Sequence, residues 1–287
     1  MSNKDSLSNI KKLRELTGVG FKDCKNAIDQ NEGDIEKSIE YLRKKGIAKA
    51  NKKMSRTASE GLILTTLKDK SISIIEVNSE TDFVAKNDEF LFFCKELSSL
   101  NFDCEGNLEK LKKIKMKNGN SVDENLINLI SKIGEKITIR RSNFFNSDDG
   151  ENFYYVHSSI EKNIGKIIAI VKIEGVEEKN KDIGNKIAMH IAASSPLSID
   201  KNDLDKVVID KEKEIIKAEL LNSGKKEEMV EKISQGKINK FISDNTLLNQ
   251  VWIMDPKKKV KDVLNENKGT KDLKIKNFLR YKVGEGL

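Results

Sequence analysis

An acidic and an aromatic side chain lie next to each other in the segment Thr81-Asp82-Phe83-Val84. The alternating apolar pattern of residues 71–77 predicts a strand before this segment, and Asn87 is a good N-cap for a helix after it. A short turn between two such rigid elements can push the ring of Phe83 outward as a wedge. The pattern alone nevertheless favours a buried ring beside an Asp82 that stabilises the helix N-terminus, because large aromatic side chains are usually buried.

Other residues that could support catalysis or hold a ligand give weaker patterns. Neither His157 nor His190 is accompanied by cysteine pairs at metal-ligand spacing, so we expect no metal site. We expect His190 to be a partly buried structural residue and His157, on a strand edge, to be the better contact candidate. The sequence has no phosphate loop of the G-x-x-x-x-G-K-[ST] type, and Gly18-Val19-Gly20 lacks the third glycine and preceding strand of a dinucleotide site. We therefore expect no bound nucleotide and no other cofactor.

The charge pattern argues against a protein that binds nucleic acid. The chain has 287 residues, and its 53 lysines and arginines are interleaved with 46 aspartates and glutamates, which leaves a net charge of +7. The basic runs Lys52-Lys53 and Lys257-Lys258-Lys259 contain none of the aromatic residues on which single-stranded nucleic acids stack. We therefore expect a solvated surface of mixed charge and no nucleic-acid partner.

Cysteine use and hydropathy predict the compartment. The chain has three cysteines, and at least Cys24 and Cys94 lie on apolar helical faces, as reduced thiols often do. The first residues lack the apolar stretch of a signal peptide, and no apolar run approaches membrane-spanning length. These observations predict a cytoplasmic protein without disulfides or membrane contacts.

The N-terminal part of the chain is predicted to be a small helical module. Three short amphipathic stripes between residues 8 and 46 each need a partner to bury their apolar side. Asp34 is expected to cap the third helix, and Gly46 is expected to end it. We place this domain at residues 1–50 and a basic linker at residues 51–60.

Two related halves follow the linker. The first, residues 61–143, is predicted to contain a hairpin that turns at Lys68-Asp69-Lys70 and two helices, the second of which ends at Gly134. The second, residues 144–200 and 244–287, repeats the order of hairpin, helix and late strand. We therefore predict an α+β fold with two related subdomains and small antiparallel sheets. In the last strand, Ile275, Leu279, Tyr281 and Val283 are predicted to face the core, and Lys274, Lys276, Arg280 and Lys282 the solvent.

Residues 201–243 are predicted to form an antiparallel helical hairpin inserted into the second subdomain. The hairpin turns at Asn222-Ser223-Gly224 and carries many charged residues. It could pack only on itself or act as an interaction arm, and the charge pattern does not separate these two possibilities. Its thin apolar seam is predicted to consist of Leu204, Val208, Ile215, Met229, Ile233 and Phe241.

Five segments of the chain form an ordered set, namely residues 13–25, 76–86, 132–141, 187–193 and 278–286. In this order and at compatible spacing, they resemble segments of the elongation factor Ts family, for which residues 76–86 are the most diagnostic. Members of that family are guanine-nucleotide exchange factors for the translational GTPase elongation factor Tu. The resemblance covers nearly the whole chain and implies that the three-helix module is a ubiquitin-associated-like domain.

The resemblance implies a function that needs no covalent chemistry. The chain would be an exchange factor, not an enzyme, and would bind elongation factor Tu in its GDP-bound and nucleotide-free forms. Thr81, Asp82, Phe83 and Val84 would dislodge the partner's magnesium ion, with Phe83 pushed between helices of the GTPase. This implication opposes the buried ring that the pattern alone favours.

The resemblance also implies further contacts with the GTPase. Phe21-Lys22 stands where the family usually has an apolar pair, and Val251-Trp252 replaces a commoner Pro-Phe pair. The helical hairpin is a possible homodimer contact. The implied partner-binding residues are Arg14, Phe21, Lys22, Lys25, Ile133, Gly134, His157, Ile253 and Met254.

Two other functions compete with this interpretation. The first is a basic RNA-associated translation protein, which would retain RNA in a salt-sensitive way without stimulating nucleotide release. The second is a hydrolase that uses a cysteine and a histidine, although no local signature supports one. We expect the exchange factor, with the RNA-associated protein second and the hydrolase last.

Overall fold

The computed structural model describes residues 3–223 and 227–287. Gly224 of the predicted hairpin turn lies outside these residues, as do Met1 and Ser2 of the predicted first domain. The helices are α1 (Asn3–Thr17), α2 (Phe21–Gln30), α3 (Ile35–Lys53), α4 (Asp88–Asp103), α5 (Leu108–Lys113), α6 (Val122–Ile133), α7 (Asp182–Ser194), α8 (Lys206–Asn222), α9 (Glu227–Asn245) and α10 (Val260–Glu266). The strands are β1 (Glu60–Lys68), β2 (Ser71–Ser79), β3 (Ile137–Phe145), β4 (Glu151–Glu161), β5 (Ile164–Glu174) and β6 (Lys274–Lys282).

These elements confirm the predicted α+β class. Helices α1 to α3 pack around their own small core, and helices α8 and α9 form the hairpin. The strands pair antiparallel in one six-stranded sheet of order β3-β2-β1-β5-β4, with β6 also paired to β5. Helices α4 and α6 cover the first half of the sheet, and helices α7 and α10 cover the second half.

The two halves meet through a short ladder between β1 and β5. Ile63 pairs with Gly165, and Leu64 pairs with Ile164. A Cβ atom at Gly165 would lie 2.6 Å from Val156 Cγ1 and 2.9 Å from the His157 carbonyl oxygen. Glycine at this position therefore permits the close approach of β4 to the join, and the small sheets predicted for the two halves form one continuous sheet.

A buried carboxylate ties the first half to the end of the chain. Glu76 is fully buried on β2 and accepts hydrogen bonds from Arg140 Nη1 at 3.1 Å, Arg141 Nε at 2.5 Å and the Gly284 N–H at 2.9 Å. Burial alone raises the pKa of this carboxyl, but hydrogen bonds from Gly284, Arg141 and Asn78 outweigh that effect and hold the pKa below its usual range. Glu76 is therefore a paired charge that joins β2, β3 and the C-terminal turn.

The first hairpin turns where the sequence predicts. Lys68 pairs with Ser71, so Asp69 and Lys70 form a two-residue loop. Both loop residues have positive φ angles, 47° and 66°, as a type I′ turn requires. Asp tolerates this backbone region better than most residues, which is why the tight turn forms here.

The predicted end of the third helix is wrong. Helix α3 is capped by Asp34 as predicted, but it continues through Gly46 to Lys53. A Cβ atom at Gly46 would lie 3.7 Å from Ile127 Cγ2 of α6, so α3 passes close to α6 at this point. Packing against α6 sustains the helix, and the predicted boundary at residues 50 and 51 falls within it.

The predicted faces of the last strand are also wrong in part. The ladder between β5 and β6 shifts register where Lys172 pairs with Asn277 and Ile173 with Ile275, which makes Lys276 the extra residue of a bulge. Ile275 consequently packs in the core beneath α7, whereas Leu279 packs on the opposite face. Arg280, predicted to face solvent, has an 11% exposed side chain and donates from Nε to the Ala192 carbonyl at 3.0 Å.

The helical hairpin forms as predicted, but its apolar seam is shifted. Ile216 is buried between the helices, whereas the predicted seam residues Val208, Ile215 and Met229 are exposed. Ile233 is the predicted seam residue that packs against the buried cluster. The observed seam consists of Ile209, Ile216, Leu220, Val230, Ile233, Ile238 and Ile242.

Candidate functional site

The ring of Phe83 is exposed to solvent. Its exposed fraction is 78%, whereas the next two residues, Val84 and Ala85, are buried in the core with Phe90. Val84 and Ala85 are the first two residues of a single 3₁₀ turn, Val84–Lys86, and their side chains are buried. The buried ring favoured by pattern alone is therefore wrong, because the core positions at this turn are taken by the residues that follow Phe83.

The helix after the turn starts as predicted. The Asn87 side chain caps α4 by accepting hydrogen bonds from the N–H groups of Glu89 at 3.0 Å and Phe90 at 3.2 Å. Asp82 instead forms an exposed ion pair with Lys86, with 3.2 Å between Oδ2 and Nζ. Since such exposed pairs contribute little to stability, the Asp82 carboxylate stays accessible beside the Phe83 ring.

Two carboxylates fix the residues that lead into the turn. Glu135 accepts hydrogen bonds from the Thr81 N–H at 2.9 Å and the Thr81 hydroxyl at 2.7 Å. In the opposite direction, Glu80 accepts a hydrogen bond from the Lys136 N–H at 2.5 Å. This bond and an ion pair with Arg56 hold the pKa of Glu80 below its usual range. The turn is thus joined to the connection between α6 and β3.

Gly134, an implied contact residue, lies in that same connection. It ends α6 in the left-handed conformation with φ of 87° and is exposed, as the sequence predicts for a helix stop. The neighbouring contact candidate, Ile133, is only partly exposed and packs against the core of the first half. The Gly134 carbonyl accepts a hydrogen bond from Lys53 at the end of α3.

The implied contact residues of the N-terminal module share one corner. Arg14 lies in the last turn of α1, and Phe21, Lys22 and Lys25 lie in the first turns of α2, all of them exposed. A Cβ atom at Gly18, in the loop between these helices, would lie 2.9 Å from Lys132 Nζ. The corner therefore lies beside the last turn of α6, which leads to Gly134 and the Phe83 turn.

A cleft of about 970 Å³ separates the N-terminal module from the first half. Phe92 lines it, with 66% of its surface exposed, together with Leu16, Ile39 and Ile47 of the module. Sequence reasoning did not single out Phe92. The available signal was its position one residue away from the buried stripe of Phe90 and Phe93 on α4.

The remaining implied contact residues lie in the second half. His157 is exposed on β4, and its ring lies 6.2 Å from that of Tyr155. Ile253 and Met254 are 42% and 44% exposed on the loop before α10. These three residues belong to the second half, whereas Phe83 and Gly134 belong to the first half.

A buried histidine supports the loop of Ile253 and Met254. His190 stacks on Trp252, with ring centroids 5.2 Å apart, and its Nε2 atom lies 3.0 Å from Gln250 Oε1. The Ile253 N–H donates to His190 Nδ1 at 3.4 Å, so Nε2 carries the proton. Burial lowers the pKa of His190, although the Gln250 hydrogen bond opposes this shift. His190 is more completely buried than the sequence suggested, and its role is structural.

The geometry suits binding to another macromolecule. Within residues 3–223 and 227–287, no group of three or more histidine, cysteine, aspartate or glutamate residues is arranged to hold a metal ion. The helices described in these same residues include none long and apolar enough to cross a membrane. What the turn presents is an apolar ring and a carboxylate on a fixed backbone.

Comparisons with known proteins find one family that this chain resembles over most of its length. The sequence model of the family described as Elongation factor TS matches residues 80–285, a match that begins at Glu80 of the Phe83 turn. Elongation factor Ts of Caulobacter vibrioides is 37% identical over 286 residues, which cover 97% of this chain and 92% of the relative. Elongation factor Ts of Methylorubrum populi is 40% identical over 283 residues, covering 97% and 92% of the two chains. The corresponding protein of Rickettsia prowazekii is 39% identical over 286 residues, covering 97% and 91%. The chain therefore belongs to the elongation factor Ts family of translation elongation factors.

Proposed function

We propose that the chain is a guanine-nucleotide exchange factor for elongation factor Tu. It binds the GDP-bound GTPase, displaces the magnesium ion, promotes GDP release and then holds the nucleotide-free form. The observation that carries this proposal is the Phe83 ring, which is 78% exposed on a turn fixed by hydrogen bonds before it and by buried residues after it. An aromatic residue that is held outside its own core is available to enter the core of a partner.

Exchange of this kind is a matter of competing conformations. Phe83 enters between helices of the GTPase and stabilises a conformation in which magnesium and GDP bind poorly, with the Asp82 carboxylate beside it. By linkage, the chain lowers the affinity of elongation factor Tu for nucleotide by a certain ratio. Nucleotide lowers the affinity of elongation factor Tu for the chain by the same ratio. No bond of the nucleotide is broken, so the protein acts as a binding partner and not as an enzyme.

Burial of Phe83 alone supplies too little free energy for exchange, so other surfaces of the chain must also bind the GTPase. A ten-thousandfold faster release corresponds to a barrier lowered by about 5.5 kcal/mol, at roughly 1.4 kcal/mol per factor of ten. Burying one phenylalanine yields only about 1.5 to 3 kcal/mol. The remaining binding free energy must come from contacts elsewhere that hold the wedge in place.

We assign this supporting role to the two groups of exposed residues. Arg14, Phe21, Lys22 and Lys25 form the contact of the N-terminal module with the nucleotide-binding domain, next to Ile133 and Gly134. His157, Ile253 and Met254 form a second contact from the other half of the sheet. Gly134 and the residues of the module corner are exposed. The corner lies beside Lys132 in the last turn of α6, and Glu135, which follows α6, binds Thr81 of the Phe83 turn, which supports a shared surface.

Homodimer formation through the helical hairpin stays a prediction. The hairpin exposes Val207, Ile215, Leu221 and Met229, so apolar surface is available outside the seam. Sedimentation equilibrium of the full chain measures whether it self-associates. A monomer at micromolar concentration would contradict this prediction without affecting the proposed exchange activity.

The proposed function predicts that the chain accelerates GDP release. Elongation factor Tu is loaded with a fluorescent GDP analogue, and its release into excess unlabelled GDP is followed with and without the chain. We expect release to accelerate with increasing concentration of the chain and to reach a plateau. Release that stays at the intrinsic rate at every concentration of folded chain would overturn the proposal.

A further inference from the structure

We infer that Glu135 is a positioning residue that holds the Phe83 turn ready for insertion into the partner. This inference rests on the proposed exchange function and adds a residue that acts on the wedge without being part of it. Glu135 uses both carboxylate oxygens on one residue: Oε2 accepts from the Thr81 N–H at 2.9 Å, and Oε1 from the Thr81 hydroxyl at 2.7 Å. Bonds to an ionised acceptor are stronger than neutral ones, and two of them fix an orientation as well as a position.

The position of Glu135 in the fold makes it a firm support. It lies between Gly134, which ends α6, and Ile137, which begins β3. The next residue, Lys136, donates its N–H to Glu80 at 2.5 Å, so the two segments exchange hydrogen bonds in both directions. Relative to α6 and β3, residues 80 and 81 are therefore fixed by three hydrogen bonds.

The contacts that fix the turn end at Thr81 and begin again at Val84. Asp82 has its ion pair with Lys86 at the surface, and Phe83 is exposed. Val84 and Ala85 are buried and anchor the other side of the turn. The direction of the Phe83 ring thus depends on a polar anchor before it and an apolar anchor after it.

Losing the polar anchor should weaken the wedge more than it weakens binding. Without Glu135, the backbone before Phe83 samples more conformations, and ordering it has to occur as the ring enters the partner. The contacts of the N-terminal module and the second half are unaffected by this change. The loss should therefore fall on the rate of nucleotide release at saturating factor and not on the concentration that gives half the effect.

Three variants separate positioning from general folding. Glu135→Ala removes both hydrogen bonds, and we expect it to lower the saturating rate of GDP release by about tenfold, in line with the loss of charge-assisted hydrogen bonds. In Glu135→Gln, the amide oxygen can still accept a hydrogen bond from the Thr81 N–H, and the amide N–H can donate one to the Thr81 hydroxyl oxygen. Most of the release rate should therefore return. Thr81→Val keeps the N–H bond and loses only the hydroxyl bond, and its rate should lie between those of wild type and Glu135→Ala.

A double variant tests whether Glu135 acts through Phe83. In a Phe83→Ala background, Glu135→Ala should change the saturating release rate by less than about twofold, because the residue being positioned is absent. Thermal unfolding of each variant, followed by circular dichroism, checks that all are folded at the assay temperature. A purely structural role would lower the melting temperature without rescue by Gln and without dependence on Phe83.

The outcomes distinguish this inference from the proposed function. If wild-type chain does not accelerate release, the proposed function fails, whatever the variants do. If wild type accelerates release and Phe83→Ala impairs it, but Glu135→Ala matches wild type, only the positioning role is overturned. Equal losses from Glu135→Ala with and without the Phe83 ring would also overturn it.

Discussion

At the scale of single residues, the apolar pattern predicted the position of the Phe83 turn but not the exposure of its ring, which only the resemblance to the elongation factor Ts family implied. The strand before Thr81 and the Asn87 cap after it place a turn at Phe83, and both flanking predictions are confirmed. Burial depends on which of several adjacent apolar residues fills the core. Val84, Ala85 and Phe90 do so here, and only the three-dimensional packing decides that choice.

The partners that fix the turn were also beyond sequence reasoning. Glu135 lies 54 positions from Thr81 in the chain, and nothing in the spacing of the two residues indicates their contact. Glu80 and Lys136, separated by 56 positions, are a similar case. Such contacts arise because β2 and β3 are paired neighbours in the sheet, which is a property of topology.

His190 predicts a pH dependence of stability. Burial lowers its pKa from the ordinary value of 6.5, so the unfolded chain binds a proton more readily than the folded one. The free energy of unfolding should therefore be highest above about pH 6.5 and fall as the pH drops below it. Protonation at Nδ1 would also remove the acceptor of the Ile253 N–H. Urea unfolding at several pH values between about 7.5 and 5.5 measures this change.

The second histidine provides the control for that measurement. His157 is exposed, and the chain has only these two histidines. His190→Gln should flatten the dependence on pH in this interval, whereas His157→Gln should leave it as in wild type. A wild-type free energy of unfolding that stays constant or rises on acidification would contradict the account of His190.

At the scale of elements, two glycines predicted to end helices have opposite outcomes. Gly134 ends α6 with φ of 87°, and a Cβ atom there would meet nothing within 4 Å. Gly46 lies inside α3, where a Cβ atom would make ordinary contacts at 3.7 Å with Ile127 and Ser131. The sequence could not separate these cases, because the continuation of α3 depends on its packing against α6.

The contrast between Gly134 and Gly46 predicts that alanine at the two positions changes the stability of the protein in opposite directions. Gly134→Ala should destabilise the protein by about 1 kcal/mol, because a side chain disfavours the left-handed backbone. Gly46→Ala should stabilise it by about 0.5 to 1 kcal/mol, because alanine favours the helix interior. Chemical denaturation of both variants gives the two changes. Stabilisation by Gly134→Ala, or a loss at Gly46→Ala, would contradict the assigned backbone roles.

The helical hairpin shows another limit of periodicity. Its helices contain adjacent apolar pairs, such as Val207-Val208, Ile215-Ile216 and Leu220-Leu221. A helical repeat can be drawn through either member of each pair, so the pattern predicts a seam without fixing which residues occupy it. In the structure, Ile216 and Leu220 are buried, and Ile215 and Leu221 are exposed.

At the scale of the whole molecule, the halves were predictable and their connection was not. The repeated order of hairpin, helix and late strand indicates two related units. Their joining into one sheet depends on two residue pairs, Ile63 with Gly165 and Leu64 with Ile164, and on the buried Glu76 that binds the C-terminal turn. These contacts link distant parts of the chain and leave no periodic signal in it.

The continuous sheet gives Phe83, the proposed wedge, a rigid base. Phe83 follows β2, which pairs with both β1 and β3, and β1 continues into the second half through β5. Contacts made with the GTPase by either half can therefore hold Phe83 in position while its ring is inserted. Contacts from both halves are required, since burying one phenylalanine yields too little free energy to drive exchange alone.

The proposed role of Phe83 as a wedge is tested by comparing two effects of Phe83→Ala. One is its effect on the saturating rate of GDP release from elongation factor Tu, and the other is its effect on affinity for the nucleotide-free GTPase. Leu67→Ala, which shortens an exposed apolar residue at the end of β1, is the control. We predict that Phe83→Ala lowers the release rate by a larger factor than it lowers affinity, and that Leu67→Ala changes neither. Equal losses of rate and affinity would show that Phe83 is an ordinary binding residue and would contradict its role as the wedge.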